Sequence, residues 1–271
     1  MGYSQKLRVL VLVKAAPQPS SQYGDTVCVA GVTLDEQPRW VRLYPVPFRH
    51  LDGNRQFRKY DILTVSVRSA GADKRPESRK INAESLSVVD HLDGWPKRSR
   101  WVEPLAVASM CEMNQAVLND MDAPPLGAIR PRRVSGLSLS VHPGWSTEQR
   151  ARFDKYALQG DLFRETPPKL LDAPRFKGTL QYFCQHAECN GHRQGIIDWE
   201  FTTLQHRFRQ KTDESLKEIV LEKFHTQIFQ HDTSPLIYVG NQENPRKRSV
   251  FSVLGIYYPQ TGTTSSESVL F

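Results

Sequence analysis

The 271-residue chain carries 36 Lys and Arg against 29 Asp and Glu, a formal charge of +7. A chain of this length buries a proper core without cross-links, so its four cysteines are not needed as a disulfide frame, and no run approaches the roughly 18 apolar residues of a membrane span. Walker and dinucleotide glycine patterns are missing, as are the Ser, Cys and His nucleophile signatures, which excludes kinase, ATPase and dehydrogenase readings. The cation excess favours an anionic partner, nucleic acid first, and the thiol usage suits a reducing, cytoplasmic setting with no membrane partner.

Leu7 to Val13 is a short apolar run that carries Arg8 and is bounded by Lys14 and Pro17, so it reads as a first strand rather than a secretory segment. Thr26 to Val32, Trp40 to Tyr44 and Ile62 to Val67 are further β-branched or aromatic runs separated by Pro, Gly, Asp and Asn. Strands at this spacing, with no amphipathic helix between them, predict a barrel-like domain over residues 1–100. Period-two alternation in Arg39 to Pro45 puts Val41 and Leu43 on the core face and Trp40, Arg42 and Tyr44 on the other.

Guanidinium groups interleaved with rings are what a reader of single-stranded or flipped bases needs, because rings stack on bases while Arg pairs with phosphate. Arg39, Trp40, Arg42, Tyr44 and Arg49, with Arg75 and Arg79 from the charged loop at 73–80, are the candidate nucleic-acid-binding residues. Further basic clusters occur at Lys97 to Arg100, Arg130 to Arg133 and Arg246 to Arg248.

Residues 101–166 read as a helical and connecting region. An apolar pattern through Leu105, Val107, Cys111 and Val117 predicts one helix from Glu103 to Asn119, with Pro104 tolerated in its first turn. Leu137, Leu139 and Val141 alternate as a strand, and Ser146 with Gln149 forms the capping box of another helix. Pro167-Pro168 marks a joint. Residues 167–259 then read as a Cys/His-containing α+β module: a strand from Gly178 to Cys184, the Cys/His loop, helices at Asp198 to Arg209 and Ser215 to Gln230, and a hairpin of Pro235 to Gly240 with Val250 to Tyr258. The Ser/Thr-rich stretch 260–271 reads as a disordered tail. The predicted fold class is α+β, an N-terminal β-barrel-like domain followed by this knuckle-containing module.

Cys184, His186, Cys189 and His192 fall within nine residues. Thiolate and imidazole are preferred zinc ligands, and short loops make them converge with few torsions to fix, so zinc is the expected cofactor. Cys184, Cys189 and His192 are the preferred three ligands. His186 is the nearest fourth, but ligands separated by one residue on extended chain point to opposite sides, so a tight turn is required. Cys111, His206 and His225 are the other candidates for the fourth place, and a water there would leave the open position of a catalytic zinc.

Asp198 suits a helix N-cap and Glu200 its first turn. In the alternative, His186, His192, Asp198 and Glu200 converge beside the metal as a catalytic set for hydrolysis.

The strand beginning Cys28-Val29-Ala30-Gly31-Val32, the Trp40 to Pro45 strand and the Lys59 to Val65 entry to another strand resemble barrels of the PUA and ASCH type over residues 6–90. That resemblance implies a small β-domain of a kind that often reads RNA or modified bases. The order of strand, Cys/His loop and helix resembles the ββα-metal nucleases, with His186, Asn190 and His192 as the counterparts. The function these features support is a nucleic-acid binder with a structural zinc and no chemistry of its own. A metal-dependent nuclease or hydrolase is the alternative, and an adaptor holding a protein partner is a third reading.

Overall fold

The computed structural model describes residues 5–17, 26–71, 73–107, 109–120, 122–158 and 171–261. It is a mixed α+β fold in three layers. The first layer is built from β1 (Gln5–Lys14), β2 (Val27–Thr33), β3 (Trp40–Val46), β4 (Asp61–Ser69), β5 (Ser78–Ile81) and β6 (Ser87–His91). β1 pairs with both β2 and β4, and β3 pairs in parallel with β5, so five strands close on themselves in the order β1-β2-β3-β5-β4 while β6 extends the sheet beyond β4. Closure removes free edges from those five strands. Alternate residues line the interior: Leu7, Val9 and Val11, Val27 and Val29, Val41 and Leu43, and Leu63, Val65 and Val67 form one core, with Phe48 and Phe57 beside them.

The second layer is a sheet in the order β13-β12-β8-β7, from β7 (Ala106–Val107), β8 (Leu126–Ile129), β12 (Leu236–Asn241) and β13 (Phe251–Tyr257). One of its faces carries Leu126, Ala128, Leu236, Tyr238 and Leu254 against outward-facing barrel residues Leu10, Leu12, Ala30, Val32 and Ile62. Its other face carries Ile129, Ile237, Val239 and Val253 into a third core. Burial on both faces explains why all six residues of β12 are buried and why the strand reads as a continuous apolar run.

The third layer holds the sheet β11-β10-β9, from β9 (Arg133–Val141), β10 (Phe176–Phe183) and β11 (His192–Gly195), together with the helices α2 (Met110–Asn119), α4 (Trp199–Arg207) and α5 (Asp213–Leu221). Two helices lie outside this layer: α1 (Trp95–Val102), whose Trp95 and Val102 join the core between barrel and second sheet, and α3 (Thr147–Leu158). At α3, Ser146 Oγ accepts from Gln149 N at 3.2 Å and Ser146 N donates to Gln149 Oε1 at 2.9 Å, the capping box expected there.

The structure corrects three elements. The helix expected from Glu103 begins only at Met110: Glu103–Leu105 is a 3-10 turn, Ala106 and Val107 pair in parallel with β8, and Ser109 caps α2 by accepting from Glu112 N at 2.9 Å. The helix expected to run to Gln230 leaves α-geometry at Leu221 and continues as a π turn over Glu222–Thr226. A strand, β11, follows the Cys/His loop where none was expected. Pro167-Pro168 and residues 262–271 of the expected tail lie outside the described residues. Among the described residues no helix is long and apolar enough to cross a membrane.

Candidate metal centre

β10 and β11 are antiparallel neighbours with Tyr182 opposite His192, so the chain between them must reverse within the loop 184–191. The reversal uses a turn in which Cys189 N donates to His186 O at 3.1 Å, followed by Gly191 at a φ of 96°. A Cβ at Gly191 would meet the Phe183 ring at 3.4 Å in a left-handed conformation that L-residues rarely adopt, so glycine is the residue that fits. This loop brings Cys184, Cys189 and His192 to one point. α2 delivers Cys111 to the same point from its first turn, fixed there by the Ser109 cap and by burial of Met110, Met113 and Val117.

The four donor atoms lie within 4.8 Å of one another, a group able to hold a metal ion. His192 Nε2 is 3.3 Å from Cys189 Sγ, 3.4 Å from Cys184 Sγ and 3.5 Å from Cys111 Sγ, and the Cys184 and Cys111 sulfurs are 3.6 Å apart. Cys184 is wholly buried and Cys189 nearly so. Burial pushes the Cys184 thiol up, but the N–H groups of Cys111 and His186 and contacts from His192 and Cys189 outweigh it and hold the thiol at about 6. Burial and the adjoining Cys184 sulfur push Cys111 up to about 12, so of these two sulfurs Cys184 takes the negative charge first. The Tyr182 ring packs beside His192 with centroids 5.2 Å apart, and its hydroxyl donates to buried Gln194 Oε1 at 2.9 Å.

His186 is not among the four. It forms the turn instead: its carbonyl accepts from Cys189 and its Nδ1 accepts from Glu188 N at 3.3 Å. The fourth donor is Cys111, 73 residues before Cys184.

The catalytic set His186, His192, Asp198 and Glu200 does not assemble. β11 runs as extended chain, so Asp198 is carried up to about 20 Å along from His192. There Asp198 caps α4 by accepting from Glu200 N at 2.8 Å and faces Lys59, whose Nζ lies 3.9 Å from Asp198 Oδ2 and 3.4 Å from Glu200 Oε2. Burial, only partly offset by Lys59, pushes the Asp198 carboxyl up to about 7. No spacing in the sequence links Lys59 to Glu200, 141 residues on.

The candidate nucleic-acid residues do not share one exposed face. Arg42 is buried against Glu77, with Nε 2.9 Å from Oε1, and Arg75 is buried between Asp73 and the Asn241 carbonyl. Trp40 packs edge-on against Tyr238, centroids 5.9 Å apart. The cause is the second sheet, which covers the outward side of β3. Arg49 is half-buried; Arg79 is half-buried and donates to the Pro76 and Ser78 carbonyls at 2.8 Å. Arg39 and Tyr44 are exposed, Arg39 lying 3.9 Å from Asp35.

Residues 5–104 match the family described as Domain of unknown function (DUF8758). No curated protein matches the chain. Residues 106–271, more than half of the chain and including all four residues of the candidate metal centre, match the family described as Domain of unknown function (DUF8757), and the chain belongs to that family.

Proposed function

We propose that the chain binds nucleic acid through the exposed outer face of its barrel, and that Cys111, Cys184, Cys189 and His192 hold a structural zinc. Three thiolates and an imidazole are a soft donor set suited to zinc. A tetrahedral zinc with ordinary bond lengths would set sulfur–sulfur edges at about 3.8 Å and sulfur–nitrogen edges at about 3.5 Å. The separations of 3.3–3.6 Å fit that geometry. Four protein donors leave no place for a water, which favours a structural ion over a catalytic one. Such an ion ties α2 to the β10–β11 loop across 73 residues of sequence.

The observation that carries the binding reading is the register of the barrel. Along β1 and β4 the outward residues change character: Leu10, Leu12 and Ile62 lie under the second sheet, whereas Lys6, Arg8, Thr64, Ser66 and Arg68 lie beyond it. Lys6 pairs with Ser66, Arg8 with Thr64 and Arg68 with Lys80 of β5, which brings four cations and hydroxyl groups onto one face. Arg39 and Arg79 line a shallow depression with Gln5 and Thr33 at one end of the barrel. Cations tracking a phosphate backbone supply most of non-specific affinity, and hydroxyls add phosphate contacts.

Fluorescence anisotropy with labelled single-stranded RNA, single-stranded DNA and duplex DNA over a salt series tests the reading. Binding that weakens steeply with salt supports it; undetectable or salt-insensitive binding to all three overturns it.

A further inference from the structure

A cavity of about 320 Å³ opens between Lys59, α4, the π turn and the end of β13, lined among others by Asp198, Glu200, Arg207, Lys223 and Tyr258. Two departures from regular structure lie at or beside its walls. Tyr60, next to Lys59, has a φ of 70°, a left-handed conformation uncommon outside glycine. The π turn Glu222–Thr226 contributes Lys223 and Phe224, and such turns inside helices are frequent at functional sites. Beside them Lys59, its side chain 11% exposed, faces two carboxylates. Each departure costs stability and persists where the surroundings enforce it, often at ligand sites.

The lining is ordered by chemistry. Arg207 and Lys223 are exposed at the mouth, and Lys223 Nζ is held 5.9 Å from the Tyr258 ring while donating to Gln227 Oε1 at 3.3 Å. Phe224, Ile256 and Tyr258 form the wall. Asp198 is buried at the inner end and Glu200 beside it is half-exposed; Lys59 Nζ lies 3.9 Å from Asp198 Oδ2 and 3.4 Å from Glu200 Oε2, which leaves the second Glu200 oxygen able to accept. A ligand matched to this order has an anion at one end, a flat ring in the middle and hydrogen-bond donors at the other. A volume at the small end of the roughly 300–1,000 Å³ found for ligand pockets suits one nucleotide rather than a polymer. We propose that this cavity binds a nucleoside monophosphate whose base carries an exocyclic amine, with phosphate at Arg207 and Lys223, base against Tyr258 and Phe224, and the amine donating to Glu200.

This goes beyond the barrel surface. The cavity adjoins the Asp61 end of β4, and the basic face runs from Thr64 to Arg68, roughly 10 to 23 Å farther along the strand.

Calorimetry on the 271-residue chain, loaded with zinc, tests the assignment with adenosine monophosphate, adenosine, uridine monophosphate, ribose 5-phosphate and inorganic phosphate. Adenosine monophosphate is expected to bind saturably, at least tenfold tighter than adenosine or uridine monophosphate, with the two base-free phosphates undetected. Arg207→Ala with Lys223→Ala should bring adenosine monophosphate down to the level of adenosine and leave adenosine unchanged. Glu200→Gln, at a half-exposed side chain that the fold tolerates, should weaken both. Neither variant should alter polynucleotide binding, so failure here and failure of the barrel reading are separable. No saturable binding of adenosine monophosphate, equal binding of uridine monophosphate or inorganic phosphate, or indifference to these variants overturns the assignment.

Discussion

Arg42 and Glu77 form an ion pair, Nε to Oε1 at 2.9 Å, with side chains only 5% and 6% exposed, on the side of the barrel that the second sheet covers. Arg42 Nη1 also lies 3.7 Å from Cys28 Sγ, while Arg42 Nη2 and Glu77 Oε2 have no partner among the described residues. Removing one member of such a pair strands the other as a buried charge, whereas replacing both with apolar groups relieves the desolvation of both. Arg42→Ala should therefore cost about 3–5 kcal/mol in urea unfolding. Arg42→Met combined with Glu77→Leu should recover most of that loss. A cost for Arg42→Ala below about 1 kcal/mol, the usual worth of an exposed pair, would show that Arg42 is not buried as described.

On the basic face each phosphate contact contributes separately to counterion release. Lys6→Ala and Arg8→Ala should each lower the slope of log K against log salt by about 0.9 on duplex DNA or about 0.7 on single strands. Arg55, which pairs with Asp52 at 2.5 Å on another part of the surface, is the control: Arg55→Ala should leave the slope unchanged. Equal slopes for all three variants would separate the barrel face from binding.

Asp198 links stability to pH. Its carboxyl is raised from 3.8 to about 7 by burial, against the pull of Lys59 and Lys14, so between those values the folded chain holds a proton that the unfolded chain releases. Stability from this group is present below 3.8 and is lost as pH rises through about 7. Asp198→Asn keeps an oxygen to cap α4 and has no proton to lose. The stability of the variant relative to the parent should therefore rise between pH 4 and pH 8 in urea titrations. A difference that stays flat or falls would contradict the burial of a titrating Asp198.

Gly191 separates two of the four metal donors at a φ of 96°. Gly191→Ala should cost about 1–2 kcal/mol from the left-handed conformation, and should weaken metal retention, because Cys189 and His192 would no longer meet without strain. Competition with a chromophoric chelator reads the second effect directly. Unchanged retention would mean that the loop does not need this conformation to assemble its donors.

What could be read from the sequence follows the range of the interaction. Alternation alone puts Val41 and Leu43 in the barrel core, because strand period is local, and both are buried. The Cys184 to His192 loop is legible because its donors fall within nine residues. Cys111 was one of several candidates for the fourth donor, since nothing local distinguishes a thiol in a helix's first turn from a buried core cysteine. The same alternation puts Trp40 and Arg42 on the outer face of β3, where they lie, but what covers that face is a sheet whose central strand begins at Leu236. Lys59 and Asp198 meet for the same kind of reason: closure of the barrel and docking of the second sheet bring together residues that no spacing connects.

The central claim is that Cys111, Cys184, Cys189 and His192 hold one zinc and that His186 does not. Elemental analysis of purified parent, Cys111→Ser and His186→Ala tests it most directly. The account predicts one zinc per chain in the parent and in His186→Ala, and loss of zinc in Cys111→Ser with a lower melting temperature. Zinc kept by Cys111→Ser and lost from His186→Ala would contradict it.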